Sequence, residues 1–316
     1  MYQNFMFLAS LKFSIEKIEL MVKIGYNLPD TERSFIFMKR HLIAIDLDGT
    51  TLNNESQVDP LTVETLRYLH HLGHLVCIVT GRPYRNSKHI YQHIGLDTPI
   101  VNFNGALCHF PGREGWIPAY HHELDKEIAF ELFANQDALE IDLLAAEGKD
   151  QLYTSSMNIP DSPFYPKDNA KIELLSRDSL TYNPTALTVF CATEKQETVA
   201  QKILDSYGED VSVRTWGGIL PVLEIVRKNI HKALGVKTIA DFYHIPIDHI
   251  LAFGDENNDL EMLEFAGLGV AMANATDEIK SVANTITKES NNEQGLAKFL
   301  LDYFKLDPQE IQHHSL

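Results

Sequence analysis

The chain has 316 residues, 44% of them apolar, which at ~100–200 residues per domain makes one large domain or two medium ones. Its formal charge of −17 argues against a nucleic-acid surface, which needs a basic face. Cys77, Cys108 and Cys191 stand far apart, with no C-x-x-C and no zinc spacing, so they read as buried thiols in a reducing cytoplasm.

Residues 1–37 read as an extension ahead of the functional domain. The stretch FMFLASLKFSIEKIELMVKIGYNL is apolar in patches but carries Lys12, Glu16, Lys17, Glu19 and Lys23. It matches neither a secretory signal nor a membrane span of ~20 apolar residues. The functional domain is expected to begin near Met38, where Met38-Lys39-Arg40 leads into HLIAID.

From there the chain alternates. LIAID (42–46) is a short apolar run of the kind that forms a strand buried on both faces. Asp59-Pro60 reads as an N-cap with proline at the first helical position; Leu66, Leu69 and Leu72 line one face, and Gly73 stops the helix. LVCIVTGR (75–82) is a second strand, residues 85–94 a helix ended by Gly95, and IVNFNGA (100–106) a third strand. The order then breaks, with loop-rich FPGREGW and SSMNIPDSPFYPKDN among helix-like and strand-like segments. It resumes at Glu224 with a helix over 231–242, the strand-like ILAFGDENND (250–259), a helix over 259–266 and the softer GLGVAMANA (267–275). The expectation is a doubly wound, Rossmann-like α/β core with a parallel sheet, built from residues 38–107 and 224–316, with a second α/β domain inserted at 108–223. No long apolar helix face marks a subunit interface.

In such sheets the ligand crevice lies outside the carboxyl ends of the strands. The polar tails of the runs therefore converge: Asp46 and Asp48 from the first, Thr80, Gly81 and Arg82 from the second, Asp255, Asn258 and Asp259 from the fourth. Aspartates two apart on an extended chain point to one side. Gly49 then lets the backbone turn and approach a ligand closely. Four carboxylates at one edge repel unless a cation intervenes, and Mg²⁺ is the common hard cation beside phosphate. With one carboxylate to attack and another to move a proton, the pair suits phosphoryl transfer through an aspartyl-phosphate.

The motifs DLDGT (46–50), VTGR (79–82), NG (104–105), Lys232, and GDENND (254–259) followed by Leu260-Glu261-Met262 occur in this order over residues 38–300. In them the chain resembles the haloacid dehalogenase superfamily, and most the Cof-like branch of sugar-phosphate phosphatases. The resemblance implies that Asp46 is the nucleophile and Asp48 the general acid and base. Thr80 and the Gly81 amide would hold the phosphoryl oxygens, with Arg82 and Asn258 as further phosphate contacts. Lys232 would neutralise the phosphate and orient Asp46. Mg²⁺ would sit on Asp46, the Asp48 carbonyl and Asp255, with Asp259 acting mostly through water or through the other ligands. The insert would be the cap that selects substrate, with Trp216, Gly217 and Gly218 as candidates for its substrate face. Thr51 and Ala233 depart from the family pattern, which has an aliphatic residue and commonly a glycine there. The implied activity is a cytoplasmic, Mg²⁺-dependent phosphomonoesterase of small phosphorylated metabolites, sugar phosphates first, with no nucleic-acid or membrane partner. Rival readings are a sugar-phosphate phosphomutase and a metabolite sensor without catalysis.

Overall fold

The computed structural model describes residues 40–149, 151–160, 171–215 and 222–313. The expected extension at 1–37, and Trp216, Gly217 and Gly218, lie outside the described residues. In chain order the first elements are β1 (Leu42–Ile45), α1 (Pro60–His71), β2 (Leu75–Ile78), α2 (Tyr84–Ile94), β3 (Ile100–Asn102), β4 (Leu107–His109) and β5 (Tyr120–His121). There follow α3 (Lys126–Ala134), β6 (Leu143–Glu147), β7 (Gln151–Thr154), β8 (Lys171–Leu174), β9 (Ala186–Phe190), α4 (Gln196–Tyr207), β10 (Val211–Thr215) and β11 (Val222–Arg227). The last part of the chain forms α5 (Lys232–Tyr243), β12 (Ile250–Gly254), α6 (Leu260–Phe265), β13 (Leu268–Ala271), α7 (Asp277–Val282), β14 (Thr285–Ile286), α8 (Gly295–Phe304) and a short helix, Pro308–His313.

Among the described residues, the first sheet has the order β14-β13-β12-β1-β2 and every pairing in it is parallel. All residues of β1, β2 and β12 are buried, because helices cover both faces of the sheet. Alternate residues divide between two cores. Leu42, Ala44 and Ala252 meet Val236 and Ile239 of α5 and Met262 of α6. Ile43, Ile45 and Phe253 meet Leu66 of α1, Ile90 of α2 and Leu300 of α8. The helix signals act as read: the Asp59 side chain accepts from the Leu61 amide at 2.9 Å, and Gly95 closes α2 at φ +79°. This is the doubly wound α/β fold expected from the alternating runs. Its strand order reverses between β1 and β12, so the crevice opens beyond their carboxyl ends.

Two elements depart from expectation. β3 meets β2's continuation through a single parallel bridge, Val79 to Val101, and otherwise pairs antiparallel with β4, which pairs with β5. The chain reverses because Phe103 and Asn104 both take φ +51°. The second departure is the expected return to the core at Glu224. Glu224 sits inside β11, opposite Thr188 of β9, so the chain leaves the second sheet only after Arg227. The run VLEIV is buried on both faces, and such a run reads like a parallel core strand.

The second sheet has the order β10-β11-β9-β6-β7-β8 and is antiparallel except for β7–β8. One face packs on α3 and α4 through Leu144, Val189 and Ile225 against Ile128, Leu132, Val199 and Ile203. The opposite face carries Glu147 and Glu224, offset by two residues in register through their pairings with Ala186 and Thr188 of β9.

Phe253 is fully buried and meets Phe299 edge-on at 5.5 Å. Phe253→Ala is expected to cost roughly 3–5 kcal/mol of stability. Urea denaturation followed by circular dichroism checks this, and Phe253→Leu should lose less.

Candidate active site

Asp46 is the first residue past β1, and its amide donates to the Phe253 carbonyl of β12 at 3.1 Å. The backbone then turns sharply through Asp48 and Gly49. Gly49 has φ +73°, and a Cβ there would lie 2.0 Å from Asp255 Oδ2, so no other residue fits. The turn is pinned on both sides. Thr50 donates to Asp255 Oδ1 at 2.8 Å, and Thr51 donates to the Asp46 carbonyl at 2.5 Å. The family departure at Thr51 thus has a structural use. Leu47 points into the core, leaving Asp46 and Asp48 on the cavity side, as the two-residue spacing predicts.

Lys232 opens α5 and is fully buried. Its Nζ donates to Asp46 Oδ1 and to Asp259 Oδ1, each at 2.6 Å. Asp259 also accepts from the Asp255 amide at 2.9 Å and the Glu256 amide at 3.2 Å, and it reciprocates a capping bond from Glu256. That capping box is the local reason GDENND turns from strand to helix at this point.

One lysine thus serves a crowd of buried acids. Burial works against the charge on Lys232, but Asp259 and Asp46 outweigh it and raise its pKa. The acids keep the imbalance. Burial, opposed by Lys232 and reinforced by Asp259 and Asp48, pushes Asp46 up to about 7. Burial, then Asp46 and Asp259, push Asp255 up to about 9. Carboxylate oxygens of Asp46, Asp255 and Asp259 lie within 4.8 Å of one another. An all-oxygen site with excess negative charge fits a hard divalent cation. Both Asp259 oxygens already accept donors, so it braces the cluster from behind.

The cavity beside this cluster is about 70 Å³ and is lined by Asp46, Asp48, Gly81, Arg82, Pro83, Asn104, Glu147, Glu256 and Asn258. Of the expected phosphate contacts, Gly81, Arg82 and Asn258 reach its wall, whereas Thr80 lies beneath. The Thr80 hydroxyl accepts from the Arg82 amide at 3.1 Å, so its own proton is left to donate. Arg82, expected on phosphate, grips Asp48 instead, with Nε to Oδ2 at 2.7 Å and Nη2 to Oδ1 at 2.5 Å. A planar guanidinium and a carboxylate make this two-point contact readily. Asn258 donates to Asn104 Oδ1 at 3.0 Å, and Asn104 donates to Glu224 Oε2 at 2.5 Å.

Glu147, Glu224 and Glu256 were not among the residues read from sequence. Glu256 lies inside the quoted GDENND motif, whereas the only sequence signal of Glu147 and Glu224 is an acid closing or interrupting an apolar run, as in LLAAE and VLEIV.

An acidic, glycine-bearing turn after β1, a buried lysine at the start of α5 and a second acidic turn after β12, on a doubly wound sheet, define a hydrolase of the haloacid dehalogenase type. The chain belongs to that family: the model for haloacid dehalogenase-like hydrolases matches residues 43–300. It is 38% identical over 270 residues to the 5-amino-6-(5-phospho-D-ribitylamino)uracil phosphatase YitU of Bacillus subtilis, covering 85% of this chain and 99% of that one. A second phosphatase of that description from the same organism, YwtE, is 30% identical over 283 residues, covering 82% and 96%. Among solved structures, a haloacid dehalogenase-like hydrolase from Bacteroides thetaiotaomicron superposes with TM-score 0.73 at 23% identity, covering 84% and 100%, a likeness of fold. The enzyme is a hydrolase of phosphoric monoesters, a phosphatase of this family. Among the described residues no helix is long and apolar enough to cross a membrane.

Glu224 yields a pH test. Burial pushes it from 4.5 up to about 7, against Asn104, Arg214 and Lys232 and helped by Glu147. The folded state therefore binds the Glu224 proton more tightly than the unfolded chain does. The stability this confers is complete below pH 4.5 and lost as pH rises through about 7, a difference of ~3 kcal/mol. Glu224→Gln removes the titration, so the Tm of the variant minus that of the wild type should grow between pH 5 and pH 8. A constant difference across that window would contradict the assignment.

Proposed function

We propose that this enzyme is a Mg²⁺-dependent phosphomonoesterase that works through an aspartyl-phosphate on Asp46 and acts on small phosphorylated polyols and sugars. The observation that carries the reading is the buried Lys232 held between Asp46 and Asp259, with Asp48 at the mouth of the same cavity. Lys232 takes Asp46 Oδ1 and fixes the carboxylate, leaving Oδ2 to attack phosphorus. The bond from phosphorus to the substrate's alcohol oxygen breaks, and that oxygen takes a proton from Asp48. Asp48 then removes a proton from water, which attacks the phosphoryl group and releases phosphate and free Asp46. Both transition states are anionic, so positioned donors do most of the stabilising. Those donors are the Thr80 hydroxyl, the Gly81 amide, Asn258, Lys232 and Arg82. A phosphoryl group entering the cavity competes with Asp48 for Arg82 and so frees Asp48 for proton transfer.

Asp46, the Asp48 carbonyl and Asp255 would hold Mg²⁺, which when bound adds positive charge beside the phosphoryl oxygens. The excess of acid over base in this cluster supports that assignment. We take the insert, residues 108 to about 227, as the cap over the cavity, with residues 38–107 and the chain after Arg227 as the catalytic core. The substrate named for those two relatives, a phosphate on a ribityl chain, supports a polyol phosphate here. The buried thiols of Cys77, Cys108 and Cys191 support a cytoplasmic setting.

The test is phosphate release from sugar phosphates, the ribitylaminouracil phosphate and p-nitrophenyl phosphate, with Mg²⁺ or with EDTA. Release should need Mg²⁺ and fall about a thousand-fold or more in Asp46→Asn. Near-normal turnover by Asp46→Asn, with deamidation excluded by mass, would end the nucleophile assignment. An isomeric phosphosugar in place of free phosphate would mark a mutase.

A further inference from the structure

Nearly all of the cavity wall comes from the strand ends and loops of the first sheet. The exception is Glu147, the last residue of β6, which enters from the second sheet. Glu147 is buried, and its Oε2 accepts from the Arg85 guanidinium. Arg85 lies in the first turn of α2, three residues after Arg82, so the loop carrying Gly81 and Arg82 also anchors Glu147. The exposures of the two side chains are 10% and 4%, which marks a desolvated contact and not a surface pair. With Oε2 taken, Oε1 remains as an acceptor at the cavity wall. Asp48 and Glu256 line the same cavity, and the guanidinium of Arg82 is already on Asp48. The wall thus sets three carboxylates, Asp48, Glu147 and Glu256, against two guanidiniums, Arg82 and Arg85, and keeps an excess of acceptors and of negative charge.

We propose that Glu147 is a specificity-determining residue. Its free oxygen accepts a hydrogen bond from a hydroxyl or amine on the leaving group, and its charge excludes a second phosphate. The substrate class is then a monophosphate ester of a hydrogen-bond-donating alcohol such as a polyol, and bisphosphates are turned away. This assignment rests on the phosphatase reading above. An acceptor built for a donor discriminates against compounds that lack one, and a buried charge discriminates against like charge. Polyols are recognised by the first effect and bisphosphates rejected by the second.

The experiment compares kcat/KM for the Mg²⁺-loaded wild type, Glu147→Gln and Glu147→Ala on three probes. Ribitol 5-phosphate has donors and one phosphate, p-nitrophenyl phosphate has no donor on its leaving group, and fructose 1,6-bisphosphate has two phosphates. In Glu147→Ala the ratio of ribitol 5-phosphate to p-nitrophenyl phosphate should fall about ten-fold or more. In both variants the ratio of bisphosphate to ribitol 5-phosphate should rise about ten-fold. Glu147→Gln keeps an oxygen for Arg85, so if the alanine variant does not fold, the bisphosphate ratio in the glutamine variant decides alone. Ratios within about two-fold of wild type in a folded Glu147→Gln would overturn the assignment while leaving the phosphatase reading intact. No phosphate release by the wild type from any probe would overturn the phosphatase reading and this assignment with it.

Discussion

The site depends on one buried ammonium group. Lys232 has no exposed surface and divides its hydrogen bonds between Asp46 and Asp259. A lysine in such a place is held charged only by its partners, and removing the lysine would leave the Asp46 and Asp259 carboxylates uncompensated in a dry interior. The same contact ties together three elements. Asp46 belongs to the end of β1, Lys232 to the start of α5, and Asp259 to the turn that holds the Asp255 and Glu256 amides after β12. Reaction geometry and local folding therefore rest on the same atoms.

The sheet makes this convergence possible. β1 and β12 are neighbours although more than half the chain separates them, and the strand order reverses between them. Their two acidic turns therefore meet edge to edge with little room to spare. Gly49 passes Asp255 where any side chain would collide, and Thr50 and Thr51 use their hydroxyls to fix the turn to Asp255 and Asp46. The crowding of acids that pushes up Asp46 and Asp255 follows from that tight approach.

The core was legible because its strands are short apolar runs ending in polar motifs, a pattern that names both the strand and its reactive tail. β1, β2 and β12 and the helices after them fall where the periodicity places them, within a residue or two at the helix ends. β3 was legible as a strand but not in its pairing, since nothing local announces the left-handed turn at Phe103 and Asn104. β11 was not read as a strand: it straddles the boundary expected at Glu224, and a run buried on both faces does not show locally which sheet it joins. Gathering Asp46, Asp48 and Asp255 needed only strand order, and the resemblance added Lys232. The partners of Arg82 and Asn104 were hidden because they depend on contacts 34 and 120 residues away. Glu147 and Glu224 were hidden for the same reason, each being a single acid in an otherwise ordinary strand.

The second sheet keeps its own hydrophobic core, with Leu144, Val189 and Ile225 sealed beneath α3 and α4 on the side away from the cavity. The face bearing Glu147 and Glu224 has a smaller cluster of its own, Leu143, Ala145, Phe190 and Val222, so the larger share of the insert's core lies on the other side. If Glu147 sets preference as proposed, polar positions on one face of this sheet can change while the core under α3 and α4 and the lysine-centred cluster stay intact. Preference and reactivity would then be inherited as separable traits, each free to drift without dragging the other.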